Sequence, residues 1–280
     1  PSIIVMSATP IPRTLTLAAY GDMDESKITE KPIGRLPIIT TSLTLSKTEI
    51  LIQRLKKKLK NNEKTYWVCP LIQESEESDL KAANERYKSL IKEFNDKVLL
   101  IHGQLKEKEK ETIMEKFKNE DYKILVSTTI IEVGIDIPEA NIIIIEHAER
   151  FGLAQLHQLR GRVGRNNIQS NCILLHKDQI GNNAKKRITK MKETNDGFEI
   201  ASEDLKIRGS GEILGVKQSG MPSFKIADLS YDDDLLEDTR NYVRKIIEIN
   251  PKLKNKEGEN LRNLLYLHEK DIAIKTLKAG

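Results

Sequence analysis

The chain has 280 residues, of which 38% are hydrophobic and 31% are charged, as in an ordinary soluble protein of one or two domains. Its net charge of +4 is too small to indicate nucleic-acid binding by itself, so any such contact must come from a local basic patch. The sequence contains no apolar stretch long enough to span a membrane and opens with no secretory signal, which makes a cytoplasmic location the expected one.

Neither the cysteines nor the histidines show the spacing of a metal site. Cys69 and Cys172 are far apart in the sequence, and two buried, reduced thiols are the simplest interpretation. The histidines outside the segment 102–104 form no metal-ligand spacing and no triad, so we expect surface or packing roles for them. The sequence therefore predicts no metal ion held by side chains of this chain.

The first 37 residues predict the end of one domain and a linker. Residues 1–6 form an apolar run typical of a buried strand, which leads straight into Ser7-Ala8-Thr9. A domain seldom begins with a buried strand, so we expect the chain to start inside a preceding domain. A short helix is predicted over 13–20, and prolines make 31–37 an extended linker.

From residue 38 the pattern alternates between strand and helix. Apolar runs predict strands over 38–45, 65–71, 98–102, 124–127, 142–145 and 171–176. Amphipathic periodicity predicts helices over 47–60, 80–94, 107–118 and 152–160. The strands do not alternate apolar with polar residues, which is typical of strands covered on both faces. The sequence therefore predicts an α/β domain with a parallel sheet between helices.

Beyond residue 178 the strand pattern stops and helices follow. Helices over 184–194 and 198–207 are joined by Asn195-Asp196-Gly197, which predicts a hairpin with a left-handed glycine at the stop. A glycine-rich loop comes next, and helices over 235–249 and 261–277 form a tail. The predicted organisation is a domain end with a linker over 1–37, a sheet domain over 38–180, a hairpin with its loop over 181–230 and a tail over 231–280.

The segment 158–165 reads Gln-Leu-Arg-Gly-Arg-Val-Gly-Arg, with Arg162 and Arg165 three residues apart beside glycines. Arginine is permanently charged and offers a planar set of donors that suits phosphate oxygens. Gly161 and Gly164 allow a close approach of the backbone, which a plain surface helix does not need. The pattern favours an arginine site for a phosphoryl group over the alternative, a solvated basic helix end.

Two predicted strands end in residues suited to holding phosphate. The strand 124–127 leads into Thr128 and Thr129, whose hydroxyls and backbone N–H groups would lie at the carboxyl edge of the sheet, where α/β folds bind ligands. Gly103 and Gln104 follow another strand and precede a helix, whose N-terminal amides suit a phosphate. The alternatives are a packing motif at 128–136 and a simple cap or turn at 102–104.

Several segments in chain order resemble the motifs of superfamily 2 DNA translocases: Ser7-Ala8-Thr9, the segment 128–136, the arginine segment 158–165, and 204–209 followed by Gln218. The likeness is greatest to the C-terminal part of the RecG family of branch-migration helicases, and it covers nearly the whole chain. It implies a RecA-like lobe, the helicase C-terminal lobe, for the sheet domain, followed by a helical hairpin with its loop and a helical tail.

The resemblance also implies roles for individual residues. Catalytic roles at the γ-phosphate of a nucleotide are implied for Arg162, Arg165 and Gln158. Binding of the nucleotide is implied for Gly134 and Asp136 together with the two arginines. Contacts to the DNA backbone are implied for Thr128, Thr129, Gly103 and Gln104. Coupling of hydrolysis to movement is implied for Ser7, Thr9, Arg187, Arg208 and Gln218.

The cofactor that the resemblance implies is ATP with Mg²⁺. The sequence contains no G-x-x-x-x-G-K-[ST] loop and no Asp-Glu box before Ser7, so we expect a preceding lobe to hold most of the nucleotide. The implied partner is branched DNA, such as forks and Holliday junctions, and a single-strand binding protein is a further candidate. The implied activity is unwinding and regression of forks in recombination and repair, with this chain inactive when alone.

Two other functions remain open from the sequence. A transcription-repair coupling factor shares these motifs, but residues 224–229, Val133 and His157 resemble the RecG family more closely. A non-enzymatic α/β interaction domain with vestigial motifs is the second alternative. The presence of all four motif groups in one chain argues against it.

Overall fold

The computed structural model describes residues 34–59, 63–70, 76–128, 137–208 and 233–267, with the single residues 4, 6, 26, 28 and 30. Of these ranges, 34–208 belongs to one compact unit and 233–267 to a second. Among the helices of the described ranges, none has both the length and the apolar character needed to cross a membrane.

The first unit alternates strands and helices as the sequence predicts. Its strands are β1 (Ile39–Thr44), β2 (Lys64–Val68), β3 (Val98–Ile101), β4 (Ile124–Ser127), β5 (Ala140–Ile145) and β6 (Asn171–His176). Its described helices are α1 (Thr48–Lys58), α2 (Glu76–Phe94), α3 (Glu107–Asn119), α4 (Leu153–Arg160), α5 (Asn182–Glu193) and α6 (Gly197–Arg208). Within this unit the largest difference from the predicted bounds is at α2, which begins at Glu76 rather than at residue 80.

The strands form one six-stranded sheet in the order β1-β6-β5-β2-β4-β3, and every neighbouring pair is parallel. The predicted parallel sheet between helices is therefore confirmed. Because all strands run the same way, their carboxyl ends meet at one edge and their amino ends at the other. These two edges, called the carboxyl edge and the amino edge below, position the candidate site residues.

Successive residues of β5 enter two separate cores, since the side chains of a strand alternate between the faces of the sheet. Ile143 and Ile145 pack on one face with apolar side chains of α3, α4, α5 and α6. Ile142 and Ile144 pack on the other face with α1 and α2. Burial on both faces explains the unbroken apolar runs of the central strands.

Helices α5 and α6 form the predicted hairpin, but its turn is built differently. Gly197 is the first residue of α6, and among the described glycines a positive φ occurs at Gly34 and Gly164 only. Thr194 ends α5 in an extended conformation, and its hydroxyl accepts a hydrogen bond from the Asp196 N–H (3.0 Å). The Asp196 carboxylate accepts one from the Phe198 N–H (2.7 Å) and so caps α6. The prediction of a left-handed glycine is wrong because side-chain capping makes this turn.

The described part of the second unit consists of α7 (Asp233–Ile249) and α8 (Lys256–Leu267), which confirms a helical tail. The Tyr242 hydroxyl of α7 donates a hydrogen bond to Glu257 of α8 (2.9 Å). Gly258 lies so close to the backbone of Leu253 that a side chain at this position would overlap it. Helix α8 begins five residues before the predicted start at 261, and the predicted continuation beyond residue 267 lies outside the described residues.

Candidate functional site

The residues predicted to contact a DNA backbone follow β3 and β4, which are neighbours in the sheet. Ile101 of β3 pairs with Ser127 of β4, so Gly103, Gln104 and Thr128 follow adjacent strand ends at the carboxyl edge. Gly103 and Gln104 are exposed, whereas Thr128 has only 4% of its surface exposed. The structure therefore brings two exposed residues and one buried threonine to this edge.

The helix after Gln104 begins too late in the chain for Gly103 and Gln104 to form a phosphate site at its N-terminus. Helix α3 starts at Glu107, and the backbone N–H of the N-cap residue Lys106 is bonded to the Glu109 carboxylate (2.8 Å). Gly103 lies in a turn, and a Cβ there would meet no atom within 4 Å. A DNA contact at Gly103 and Gln104 would thus use an exposed turn rather than the N-terminus of a helix.

The arginine segment 158–165 lies at the opposite edge of the sheet. It leads from the end of α4 towards β6, which starts at the amino edge, where Asn171 pairs with Ile39 of β1. The Asn166 side chain donates a hydrogen bond to the carbonyl of Pro138, just before β5. The loop that follows the arginine segment is therefore fixed at the amino ends of the strands.

Gly164 fixes the turn that presents the two arginines. Its φ of +77° is unfavourable for a residue with a side chain, and a Cβ would lie 2.9 Å from Cγ1 of Ile38. The Arg35 guanidinium also donates a hydrogen bond to the Gly164 carbonyl (2.7 Å). Arg162 is half-buried and Arg165 is exposed on either side of this turn, so both lie at the amino edge.

Gly161 differs from Gly164. It follows α4 with a φ of −66°, and a Cβ would lie 3.4 Å from the carbonyl oxygen of Gln158, which is ordinary contact. Gly164 thus requires glycine because of its positive φ and its contact with Ile38 of the same chain, whereas the described neighbours of Gly161 do not require glycine. Gln158 itself is exposed on the last turn of α4.

The described residues on either side of the segment 129–136 lie at opposite edges of the sheet. Thr128 follows β4 at the carboxyl edge, and Ile137 lies at the amino edge, where its carbonyl accepts a hydrogen bond from the N–H of Ala140 in β5 (3.0 Å). The other predicted site residues fall outside the described residues, namely Ser7, Thr9, Thr129, Gly134, Asp136, Gln218 and the side chain of Arg208. Their roles stay predictions.

Arg187, predicted to act in coupling, lies on α5 and contacts the turn after β5. Its guanidinium donates a hydrogen bond to the Glu149 carbonyl (2.9 Å). His147 in this turn has a φ of +52°, and its Nδ1 lies 2.9 Å from the Glu149 carboxylate. Burial raises the pKa of Glu149, but hydrogen bonds from His147 and from backbone N–H groups bring it below its ordinary value. The hairpin is thus joined to a constrained turn at the carboxyl edge.

Sequence reasoning missed Arg160, which lies inside the arginine segment but is buried. Only 2% of its surface is exposed, and its guanidinium donates hydrogen bonds to the carbonyls of Met191 and Thr194, each 2.8 Å away. These two carbonyls lie at the end of α5. The available signal was helical spacing, because Arg160 falls on the same face of α4 as the buried Leu153 and Leu156.

Glu146, which follows β5 at the carboxyl edge, was also missed. Its carboxylate accepts two hydrogen bonds from Arg86 of α2 (2.8 and 2.6 Å) and one from the indole N–H of Trp67 (2.7 Å). A cleft of about 320 Å³ opens beside this cluster, and Arg150 contributes to its lining. The partners are 60 and 79 residues from Glu146 along the chain, so no local pattern could reveal the cluster.

The two cysteines are buried and free, as predicted. Burial raises the pKa of the Cys172 thiol to about 12 and also raises the pKa of Cys69. Thiols of this kind stay protonated near neutral pH and are poor nucleophiles and metal ligands. Within the described ranges, no group of three or more His, Cys, Asp or Glu side chains is placed to hold a metal ion.

Comparison with known proteins defines the class to which this fold belongs. Residues 46–167 match the family described as helicase conserved C-terminal domain, so the sheet unit is a helicase C-terminal lobe. Residues 194–277 match the family described as ATP-dependent DNA helicase RecG, domain 3, C-terminal. The second match begins at the hairpin turn and includes both tail helices.

The relatives identify the family within this class. The ATP-dependent DNA helicase RecG of Aquifex aeolicus is 49% identical over 271 residues, which is 95% of this chain and 34% of the relative. The protein of the same name from Escherichia coli strain K12 is 44% identical over 255 residues, which is 90% of this chain and 36% of the relative.

A solved structure of RecG bound to a three-way DNA junction matches with a TM-score of 0.65 and 45% identity, over 83% of this chain and 30% of that one. The chain belongs to the RecG family. It spans about a third of the length of the curated relatives that it matches.

Proposed function

We propose that this chain is the C-terminal motor part of an ATP-driven double-strand DNA translocase. The whole protein would unwind and regress stalled forks and branch-migrate Holliday junctions in recombination and repair. The observation that carries the proposal is the turn at Gly164, which holds Arg162 and Arg165 together at the amino edge of the sheet. Relatives that bear the name ATP-dependent DNA helicase support the same activity.

The arginines would act on ATP that a preceding lobe holds together with Mg²⁺. The nucleotide supplies the phosphoryl group whose transfer to water releases the free energy for movement. Arg162 and Arg165 would stabilise the negative charge on the γ-phosphate during hydrolysis, since a guanidinium supplied from a second lobe neutralises that charge. Gln158 would respond to the bound nucleotide, and Gly134 with Asp136 would lie against its ribose and phosphates.

DNA would bind at the carboxyl edge through its backbone. Gly103, Gln104, Thr128 and Thr129 would contact phosphates, which fixes the position of the duplex without reading its sequence. A related RecG is known bound to a three-way DNA junction, which supports branched DNA as the ligand. Binding of this kind weakens as salt rises. The cytoplasmic location and a single-strand binding partner remain predictions from the sequence.

The hairpin would convert hydrolysis into movement. Ser7 and Thr9 would couple hydrolysis to closure of the lobes. Arg187, Arg208 and Gln218 would pass closure to the loop after α6 by exchanging side-chain hydrogen bonds, so that two states of the hairpin alternate. The hydrogen bond from Arg187 to the Glu149 carbonyl supports this role for one of the three.

The test is conversion of a labelled fork by the complete protein that contains this chain. ATP should give unwound and regressed products, and a non-hydrolysable analogue should give none. Arg165→Ala should bind ATP normally but hydrolyse it about 10³-fold more slowly, which is typical for loss of an arginine finger. Fork conversion should fall with hydrolysis. Normal hydrolysis by this variant would remove Arg165 from the catalytic role.

Other outcomes would favour the alternatives. ATP hydrolysis with translocation but without strand exchange would indicate a remodeller of the coupling-factor type, to be tried next on stalled RNA polymerase. Binding of DNA or a partner protein without any ATP hydrolysis would favour a non-enzymatic interaction domain.

A further inference from the structure

We propose that Arg160 is the positioning residue that joins the arginine segment to the helical hairpin. A displacement of this segment on nucleotide binding would then pass to the turn between α5 and α6 through the Arg160 guanidinium. The inference rests on the proposed function, because it takes Arg162 and Arg165 to respond to a nucleotide. It assigns to Arg160, the third arginine of this segment, the role of transmitting movement to the hairpin.

The Arg160 guanidinium contacts three elements at once. One terminal nitrogen donates hydrogen bonds to the Met191 and Thr194 carbonyls and lies 3.4 Å from the Thr40 hydroxyl of β1. The other terminal nitrogen lies 3.0 Å from Nδ1 of His157 on the same helix. The last carbonyls of a helix have no partner inside it, so Arg160 fills this need for α5. It thereby ties α4 to the end of α5 and to the amino end of β1.

None of the described partners of Arg160 is a carboxylate. Burial lowers the pKa of Arg160, because the charged guanidinium loses its contact with solvent. A buried cation without a counter-ion is costly, and apolar side chains often replace buried charges without loss of stability. The negative end of the α5 dipole offsets part of this cost. Packing alone therefore does not account for an arginine here, and a directional link between the helices does.

The backbone on both sides of this link is tight. The N–H of Arg162 bonds to the Leu159 carbonyl (3.0 Å), so the step from Arg160 to the exposed part of the segment is a closed turn. In the hairpin turn, Thr194 accepts two hydrogen bonds. Its hydroxyl accepts one from the Asp196 N–H, and its carbonyl accepts one from the Arg160 guanidinium. Movement of the arginine segment at the amino edge would therefore displace the turn between α5 and α6 directly.

The packing of the helices also supports a link between the arginine segment and the hairpin. Helix α4 contacts both helices of the hairpin, α5 and α6. Arg187 holds α5 at a second point, the turn after β5 at the carboxyl edge. The arginine segment thus holds the first helix of the hairpin near its C-terminal end. The turn after β5, at the carboxyl edge, holds the same helix near its middle. A shift of either contact changes the tilt of the hairpin.

The test separates hydrolysis from unwinding in the complete protein. Arg160→Met removes the hydrogen bonds without leaving a buried charge, whereas Arg160→Lys keeps a donor able to reach carbonyls. For Arg160→Met we expect DNA-stimulated ATP hydrolysis within about threefold of wild type and unwinding of a three-way junction slowed at least about tenfold, as expected for lost coupling between sites. Arg160→Lys should recover part of the unwinding rate.

The matched control is Arg54→Met. Arg54 is exposed on α1, on the opposite face of the sheet from the hairpin, and both rates should stay unchanged. Thermal unfolding of each variant is measured alongside. Loss of hydrolysis and unwinding by the same factor in Arg160→Met, with a lowered melting temperature, would make Arg160 a structural residue only.

Hydrogen exchange keeps the proposal testable if Arg160→Met does not fold. The amides of Asp196 and Phe198 are bonded within the hairpin turn. In the wild-type protein with forked DNA, a non-hydrolysable ATP analogue should change their exchange rates at least about threefold, because local opening follows the state of the turn. Arg160→Lys should reduce that change, and Arg54→Met should preserve it.

The proposal would be overturned, whatever the variants do, if the analogue binds the wild-type protein but leaves the exchange rates of the Asp196 and Phe198 amides unchanged. This outcome differs from failure of the proposed function. In that case the wild-type protein would bind no nucleotide or would convert no forks.

Discussion

Arg160, Arg162 and Arg165 share one short segment but have three different environments. Arg160 is buried against α5, Arg162 is half-buried and Arg165 is exposed. The difference arises at the end of α4, because Arg160 still belongs to the helix and follows its apolar face. Arg162 and Arg165 come after the end of α4, on either side of the turn at Gly164. Residue type alone therefore does not decide the role of an arginine in this segment, and the local backbone does.

Gly164→Ala tests this turn, and Gly161→Ala is its matched control. Alanine at position 164 would need an unfavourable positive φ and would overlap Ile38, so we expect a loss of about 2 kcal/mol in the free energy of unfolding. At position 161 the φ of −66° suits alanine, and we expect a change within about 0.5 kcal/mol. Urea denaturation measures both variants.

Equal unfolding midpoints for the two glycine variants would show that the turn does not depend on Gly164. A different result is informative at Gly161. If Gly161→Ala keeps its stability but lowers ATP hydrolysis in the complete protein, a ligand rather than this chain requires glycine at that position.

The candidate site could be predicted where its residues carry a local pattern. Arg162 and Arg165 stand beside glycines in a short segment, and Thr128 stands at the end of an apolar run. Arg160 and Glu146 were not predicted because a charged residue in a sequence indicates exposure, and most of their partners lie at least 31 residues away. Only the fold brings such partners together, so periodicity within one helix or strand cannot reveal them.

At the scale of elements, Glu146 connects β5 to β2 and α2. Its carboxylate receives the Arg86 guanidinium and the Trp67 indole, and the guanidinium also lies 5.2 Å from the ring centre of Trp67. The side chains of Glu146 and Arg86 are only 10% and 19% exposed. A pair so far removed from water is strongly affected by loss of one partner, because the other charge is left buried alone.

Glu146→Ala should therefore lower the free energy of unfolding by about 3 kcal/mol, since Arg86 and the Trp67 N–H both lose their acceptor. The control is Glu93→Ala. Glu93 pairs with Lys56, but these two side chains are 43% and 44% exposed, and we expect a loss of no more than about 0.5 kcal/mol. Chemical denaturation compares the two. Similar losses in the free energy of unfolding would mean that the Glu146 cluster contributes little to holding these elements together.

The elements themselves were predictable to within a few residues, because buried strands of a parallel sheet are unbroken apolar runs. Strands β4 and β6 have the predicted bounds, 124–127 and 171–176. The strand order could not be read from the sequence, since it depends on which helices cover which face. The turn at 195–197 was predicted wrongly because Asp196 can cap a helix as readily as Gly197 can end one.

At the scale of the whole molecule, the first unit has its two candidate sites on opposite edges of one sheet. The arginine segment lies at the amino edge, and the strand ends predicted to face DNA lie at the carboxyl edge. The helices α4, α5 and α6 lie between these two edges, against one face of the sheet. Under the proposed function, an effect of the nucleotide on DNA has to cross the lobe from one edge of the sheet to the other.

The isolated 280-residue chain should hydrolyse ATP no faster than background, with or without DNA. Its sequence has no phosphate-binding loop to hold the β- and γ-phosphates, so its arginines alone cannot assemble a catalytic site. Phosphate release by the purified chain, compared with that of the complete protein, checks this expectation. DNA-stimulated hydrolysis by the chain alone would show that the nucleotide is held by residues other than those expected.

Trp67 gives the chain an optical signal of its own. It is the single tryptophan of the sequence, it is fully buried in the sheet, and its indole N–H is bonded to Glu146. Its fluorescence should report only on the first unit, with emission that moves to longer wavelength when the sheet opens to water. Melting of α7 and α8, which contain tyrosines but no tryptophan, would leave that emission unchanged. One spectrum can therefore distinguish loss of the motor lobe from loss of the tail.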